Sequence, residues 1–273
     1  MDYTVVEIEL SQPEDTDYAI AYMVDLPFES FEQNDRVVRA YTSSAKYDEA
    51  SLIEALKPLA GSIKQISSKV IKHQNWNAVW EQDYQPVNYG FLVVRAPFHP
   101  KQDAVHEIVI DPNMSFGTGH HETTSLMVEL MHKTNFGGKR VLDFGAGSGI
   151  LAIWANKLNA RKCTAVEIDE HAAEAARSNA LANNAKNVEV ICGGIEAIGD
   201  EPFDVILANI NKNAIEAHLD QLLTKLKHGG VFICSGFLES DTARLCEILS
   251  GGGLEGHSIS VMGDWAAIKS KKA

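Results

Sequence analysis

The chain has 273 residues, a formal net charge of −13 and a composition of 45% hydrophobic and 22% charged residues. This length allows one large or two medium domains with cores of their own, and the composition is typical of a globular protein. The acidic, alternating N-terminal segment is unlike a signal peptide, and no apolar run is long enough to predict a membrane span. The acidic balance favours a basic or neutral partner, so we expect neither a membrane nor a nucleic acid as a direct partner.

Cysteine usage indicates the compartment. Cys163, Cys192, Cys234 and Cys246 are widely spaced and form no C-x-x-C pair. This spacing predicts reduced thiols in a cytoplasmic protein. The sequence predicts no metal site, because the run His120–Glu122 lacks a further ligand at a suitable spacing.

Residues 1–72 predict a small α+β domain. The periodicity gives a strand, a helix, a hairpin that turns at Asn34-Asp35, a second helix and a last strand. The predicted elements are 3–10, 14–26, 28–33, 36–42, 49–59 and 63–72. Their order, βαββαβ, is that of a ferredoxin-like fold.

Residues 73–85 predict a linker helix. Trp76, Trp80 and Tyr84 are spaced four apart, which places all three rings on one helix face. A helix that packs this face onto a domain is favoured over a face that stacks against a ligand. Pro86 ends the pattern.

Residues 86–273 predict a Rossmann-like α/β domain. Two β segments, 89–97 and 105–110, come first, and from 121 onward helices and strands alternate. The strands are expected at 140–144, 163–168, 188–192, 203–208 and 230–235, with a closing β pair at 256–262 and 265–269. Such alternation predicts a mostly parallel sheet that is covered on both faces. Lys269, Lys271 and Lys272 are interpreted as a solvated tail.

The most informative run is VLDFGAGSG at 141–149. A short apolar strand is followed by Gly145, Gly147 and Gly149, and then by a segment with helical apolar spacing. Glycines suit a sharp strand-to-helix turn that a ligand approaches closely. A dinucleotide fingerprint would place its third glycine at position 150, where Ile150 stands. The observed D-x-G-x-G-x-G pattern instead resembles motif I of S-adenosylmethionine-dependent methyltransferases, although another Gly-rich α/β turn remains an alternative.

Two acidic residues complete the predicted cofactor site. Asp143 precedes the glycines, where its charge can offset the positive methionine moiety and sulfonium of that cofactor. Glu167 ends the next strand, from which a carboxylate can accept hydrogen bonds from a ribose diol.

The loop DPNMSFGTGHHETT at 111–124 precedes the helix before motif I. It can fold over a cofactor, with Phe116 as an apolar cover and its threonines as hydrogen-bond donors. Thr123 or Thr124 can instead begin the helix as a cap. His120 and His121 are candidates for a general base, but a structural hydrogen-bonding role is the more frequent use of such histidines.

Asn209 stands at the end of the predicted strand 203–208, in the run ILANINK. Its carbonyl oxygen can accept hydrogen bonds from the N–H groups of an amine or amide, so that the nitrogen lone pair points at the methyl carbon. The alternative is an N-cap for the following helix, and the two roles are compatible.

Together these motifs resemble, over the whole chain, the methyltransferase family that acts on ribosomal protein eleven of the large subunit. The loop is similar to that family's D-P-x-x-x-F-G-T-G-x-H-x-T-T signature, and VLDFGAGSG to its motif I, with Ala146 where a Cys is frequent. The runs VEID, ILANI and WNAVWEQDY resemble its acidic motif, its post-strand motif and its linker.

The resemblance implies a class I methyltransferase fold over residues 86–273, preceded by a substrate-recruiting domain over 1–72 and the linker. It implies S-adenosylmethionine as cofactor and, as substrates, the N-terminal amine and lysine side chains of a basic ribosomal protein. The residues that it implies contact the cofactor are Thr124, Gly145, Glu167 and Asn209, and those that it implies line the active site are Phe116 and His121.

Other functions stay open at this point. The same fold can methylate another protein's lysine, a small molecule or RNA, although NINK in place of an NPPY-type run argues mildly against bases and glutamine amides. A non-enzymatic cofactor-binding module is a third possibility, and the intact set of Asp143, Glu167 and Asn209 argues against it. We expect a monomer.

Overall fold

The computed structural model describes residues 2–72, 84–112 and 117–273. The chain divides into two compact units, Met1–Asp83 and Tyr84–Ala273. Most of the helix predicted over 73–85 lies outside the described residues, and so does Phe116. No helix in the described ranges is long and apolar enough to cross a membrane.

The first unit is an antiparallel sheet with two helices on one face. Its elements are β1 (Tyr3–Leu10), α1 (Asp15–Met23), β2 (Ser30–Asn34), β3 (Val37–Ser43), α2 (Glu49–Leu56) and β4 (Ile63–Ile71). The strand order β2-β3-β1-β4, with every pair antiparallel, confirms the ferredoxin-like prediction. Alternate residues of β1, namely Val6, Ile8 and Leu10, are buried in a core that includes Leu52 and Leu56 of α2.

The second helix of this unit ends earlier than predicted. It stops at Leu56, and residues Lys57–Leu59 continue as a turn of 3-10 helix. Pro58 explains the change, because proline lacks the N–H that an α-helix needs and its ring crowds the preceding turn.

The second unit is a seven-stranded sheet with helices on both faces, together with a small separate sheet. The small sheet consists of β5 (Val87–Asn88), β6 (Leu92–Arg95) and β7 (His106–Val109). The strands of the large sheet are β8 (Arg140–Phe144), β9 (Lys162–Glu167), β10 (Val188–Cys192), β11 (Phe203–Asn209), β12 (Leu226–Leu238), β13 (Leu254–Met262) and β14 (Trp265–Lys272). The helices are α3 (Glu122–His132), α4 (Ile150–Lys157), α5 (Glu170–Ala182), α6 (Lys212–Lys225) and α7 (Thr242–Gly251).

The order of the large sheet is β10-β9-β8-β11-β12-β14-β13. The first five strands are parallel, and β14 pairs antiparallel with β12 and β13. Two apolar cores, one containing Trp154 and the other Phe232, pack this sheet against its helices. This architecture confirms the predicted Rossmann-like α/β class. The carboxyl ends of β8, β9 and β11 meet at one edge, where ligands bind in open α/β sheets.

Two details differ from the sequence prediction. The strand predicted at 89–97 is shorter and begins only at Leu92, because Gly90 has a φ of 81° and turns the chain between β5 and β6. The solvated tail predicted at Lys269, Lys271 and Lys272 is wrong, since β14 continues to Lys272 between two partner strands. The Lys272 ammonium donates to the Leu223 carbonyl at 2.6 Å, which satisfies an acceptor in the last turn of α6.

Candidate active site

The turn after β8 is built from glycines with positive φ. Gly145, Gly147 and Gly149 have φ of 73°, 52° and 77°. The amides of Gly145 and Ala146 both donate to the Val166 carbonyl, at 2.9 and 3.0 Å. These bonds hold the turn against the end of β9.

Gly145 has a second reason to lack a side chain. A Cβ at this position would overlap the side chain of Ile210, the residue after β11. Ile210 is confined from the other side as well, because a Cβ at Gly236 of β12 would overlap the Ile210 main chain. The two glycines therefore let Ile210, and with it the end of β11, approach the turn closely.

Asp143 lies at the end of β8 and is fully enclosed, with 1% of its surface exposed. Its Oδ2 accepts a hydrogen bond from the amide of Ala152, in the first turn of α4, at 3.0 Å. Its Oδ1 is buried and has no hydrogen-bond partner among the residues that the structure describes. Burial raises the pKa of this carboxyl to about 7, and the neighbouring charge of Glu167 adds to the rise.

Glu167 ends β9 and points back to the glycine turn. Its Oε2 accepts from the amide of Gly147 at 2.8 Å, and its Oε1 accepts from the amide of Asp169 at 3.1 Å. The structure thus brings Asp143, Gly145, Gly147 and Glu167 together at the carboxyl edge of the sheet.

The described part of the predicted loop, 117–120, lies against the same turn. Ser148, which is buried, donates its hydroxyl to the Gly117 carbonyl at 2.6 Å. The main-chain carbonyl of Ser148 accepts from Nδ2 of Asn179 in α5 at 2.9 Å. The sequence carries no signal for this contact, because Ser148 is a small residue between two glycines.

The cap of α3 is His121, so neither threonine begins the helix. Nδ1 of His121 accepts from the amide of Thr123 at 3.3 Å and lies 2.8 Å from the Thr123 hydroxyl. The His121 ring packs edge-on to Trp265 at 4.8 Å between centroids, a neighbour that sequence spacing could not indicate. Oγ1 of Thr124 is buried and, like Oδ1 of Asp143, has no hydrogen-bond partner within the described ranges.

Asn209 is the last residue of β11 and is half-buried. Its register partner is Ser235 in the neighbouring strand β12. The helix that follows is capped by Asn211, whose side chain accepts from the amide of Ala214 at 2.9 Å. The capping role considered for Asn209 is therefore taken by another residue.

Comparisons with known proteins identify one family. The sequence profile of the family described as Ribosomal protein L11 methyltransferase (PrmA) matches residues 2–273. A relative named ribosomal protein L11 methyltransferase from Porphyromonas gingivalis is 38% identical, over 98% of this chain and 97% of its own length. A protein of the same name from Phocaeicola vulgatus is 34% identical, over 93% of this chain and 92% of its own length.

A solved structure is similar over much of the chain. It is a ribosomal protein L11 methylase from Lactobacillus delbrueckii subsp. bulgaricus, which superposes with a TM-score of 0.64 at 27% identity. The match covers 70% of this chain and all of that one. The class I methyltransferase fold is thereby confirmed. The chain belongs to the ribosomal protein L11 methyltransferase family and is an S-adenosylmethionine-dependent protein methyltransferase.

Proposed function

We propose that this chain transfers methyl groups from S-adenosylmethionine to amine nitrogens of ribosomal protein L11. The observation that carries the proposal is the edge of the sheet where the glycine turn, two acidic side chains and Asn209 converge. The family supports the choice of acceptor, because the relatives that match nearly the full chain carry this substrate in their names.

The residues at this edge fit the cofactor. Asp143 offers a buried oxygen here, and Thr124 offers another in the first turn of α3. Neither oxygen has a partner among the described residues, and such groups are costly unless a ligand pairs with them. Glu167 presents a carboxylate at the strand end, suited to a ribose diol, and Gly147 offers its main chain beside it. When bound, the cofactor supplies an electrophilic methyl group on a sulfonium. We assign the acid Asp143 to the positively charged half of the ligand and Glu167 to the sugar.

The acceptor amine requires orientation and loss of a proton. We propose that Asn209 accepts a hydrogen bond from the amine N–H, and that Phe116 and His121 line the space around it. A lysine amine has an ordinary pKa of about 10.4 and an α-amine about 8, so each must be deprotonated before its lone pair can attack. A nearby positive charge disfavours the ammonium form, which favours this step without a dedicated base.

Substrate recruitment is assigned to the first unit, Met1–Asp83. The overall charge of −13 favours association with a basic ribosomal protein. We propose that the enzyme acts as a monomer in the cytoplasm, where ribosomal proteins are made.

Methyl transfer to a panel of acceptors tests the proposal. The full chain is incubated with methyl-labelled S-adenosylmethionine and, separately, with purified ribosomal proteins, ribosomal RNA and free lysine. We expect label in ribosomal protein L11, and at least about tenfold less label after substitution of Glu167 by Ala at a limiting cofactor concentration. Label only in RNA, in another protein or in the small amine would replace the proposed acceptor by that one.

A further inference from the structure

Two residues at the start of the second unit are bonded to the loop 117–120. Nε2 of His120 lies 2.8 Å from the main-chain carbonyl of Gln85. The His120 ring packs on Tyr84 at 4.5 Å between centroids. A second contact within the loop joins Thr118 Oγ1 to Nδ1 of His120 at 3.3 Å.

The hydrogen-bond partners of His120 determine which of its ring nitrogens carries the proton. A carbonyl can only accept, so Nε2 carries the hydrogen and donates it to Gln85. In the neutral ring Nδ1 is then an acceptor, which suits the Thr118 hydroxyl. Both ring nitrogens of His120 are engaged in hydrogen bonds. We therefore assign His120 to holding the loop, and not to the general-base role considered from the sequence.

The anchor of His120 is itself held in place. Nε2 of His99 lies 2.6 Å from the Tyr84 carbonyl, and Nδ1 of His99 accepts from the amide of Ala96 at 3.1 Å. The Tyr84 and His99 rings stack at 5.9 Å between centroids. The segment 84–85 is therefore fixed to the chain just after β6.

Two glycines of the loop are held by the glycine turn and by the small sheet. Gly117 accepts from Ser148 in the glycine turn, and the Gly119 carbonyl accepts from the Tyr89 hydroxyl at 2.8 Å. Neither contact depends on His120. The loop is thus held by three contacts. Of these three, only the contact of His120 reaches the segment 84–85.

We propose that His120 is a positioning residue, which holds the loop 117–120 against the glycine turn through Gln85 and thereby sets the affinity for S-adenosylmethionine. This inference rests on the proposed function for the identity of the cofactor. Loss of the anchor leaves the loop with two of its three contacts and makes it less ordered in the free protein, so part of the binding free energy is then used to order it.

Calorimetry of cofactor binding to the full chain tests the inference. Three variants are compared with the unchanged protein: His120→Ala, His120→Gln and His120→Asn. Gln can place a donor near the position of Nε2, whereas Asn can place a group near Nδ1 only. The matched control is His257→Ala, because the ring nitrogens of His257 also bond two partners, Ser250 and Ser270, at 2.8 and 2.7 Å, on helix α7 and strand β14.

We expect His120→Ala to raise the Kd for S-adenosylmethionine by about tenfold, the size of one lost hydrogen bond. His120→Gln should recover most of the affinity and His120→Asn little. In methyl transfer, KM for the cofactor should rise while kcat at saturating cofactor is retained, a division that general loss of folded protein does not produce.

An unchanged Kd in His120→Ala would overturn the inference. So would an equal loss in His257→Ala, an equal loss in all three His120 variants, or recovery by Asn alone, which would assign the effect to Thr118. Failure of the unchanged protein to bind S-adenosylmethionine would instead refute the proposed function, and the two failures are therefore distinct.

Discussion

At the scale of single residues, Asp143 has the environment that is least favourable to a charged side chain in the described site. Its carboxyl is buried, has one hydrogen bond and lies near another acid, so its pKa is raised to about 7 from an ordinary value of about 3.9. Between these two pH values the folded chain holds a proton that the unfolded chain has lost. The contribution of Asp143 to the stability of the cofactor-free protein therefore falls as pH rises through this window and levels off above it.

Asp143→Asn should remove this dependence. Asn has no proton to lose. The difference in Tm, variant minus unchanged protein, should therefore be more positive at pH 8 than at pH 4, and this holds whether the variant is the more or the less stable protein at either pH. Thermal unfolding without cofactor at the two pH values measures the difference, in which the contributions of other titrating groups cancel. A difference in Tm that is the same at both values would mean that Asp143 keeps an ordinary pKa. The same variant should bind S-adenosylmethionine more weakly.

Glu167→Ala should weaken cofactor binding by at least about tenfold, because a carboxylate that accepts two hydrogen bonds from a ribose diol is lost. Calorimetry at constant pH measures the change. Glu174→Ala is the matched control, since Glu174 lies in α5 and is exposed to solvent beside Arg177. Equal affinities of the two variants would contradict the assignment of Glu167 to the sugar.

At the scale of elements, the packing of Ile210 joins three segments of the site. Gly145 of the turn and Gly236 of β12 each leave space that Ile210 occupies. Because Ile210 follows Asn209, this packing fixes the residue to which we assign the acceptor amine. A small change at Gly236 should therefore affect both stability and turnover.

Gly236→Ala should destabilise the fold by about 1–3 kcal/mol more than Gly253→Ala, the range typical of overpacking. Both glycines have positive φ, at 100° and 84°, so the backbone strain of the new Cβ is similar. Only at Gly236 does the Cβ meet the Ile210 main chain, whereas nothing lies within 4 Å at Gly253. Urea unfolding gives both free energies, and equal values would mean that the clash is relieved at no cost.

Most elements of the fold were predictable from periodicity, because the strands of the large sheet are apolar runs bounded by turn residues. The misses lie where tertiary contacts override local preference. His121 caps α3 although Thr123 and Thr124 are the better capping residues in isolation, and β14 keeps its lysines in a strand because β12 and β13 pair with it.

The residues that form the candidate site were largely predictable from the sequence, but the contacts between them were less so. Motif spacing indicated Asp143, Gly147 and Glu167, which the structure places together. Ile210 and Ser148 were not indicated, because their roles depend on residues far away in the sequence. No periodic pattern carries that information.

At the scale of the whole molecule, the chain combines two units with separate cores. The first has its own buried cluster, and the second has two on either side of its sheet. Every described residue that we assign to the cofactor belongs to the second unit. Binding of the cofactor and recruitment of the protein substrate should therefore be separable.

A fragment of residues 84–273 should bind S-adenosylmethionine with nearly unchanged affinity but methylate ribosomal protein L11 at a rate lower by at least about tenfold at limiting substrate, because the recruiting contacts are absent. Calorimetry and initial rates provide the two measurements. Adding the substrate at much higher concentration should restore part of the rate. Full activity of the fragment at low substrate would show that the first unit does not recruit.

The central claim is that this chain methylates amines of ribosomal protein L11. Its most direct test is the intact mass of purified ribosomal protein L11 after incubation with the full chain and S-adenosylmethionine, followed by fragmentation to locate the added groups. We predict mass increments of whole methyl groups, located on lysine side chains or the N-terminal amine and reduced at least about tenfold in yield with Glu167→Ala at limiting cofactor. An unchanged mass of ribosomal protein L11, under conditions where the same preparation binds the cofactor, would contradict the claim.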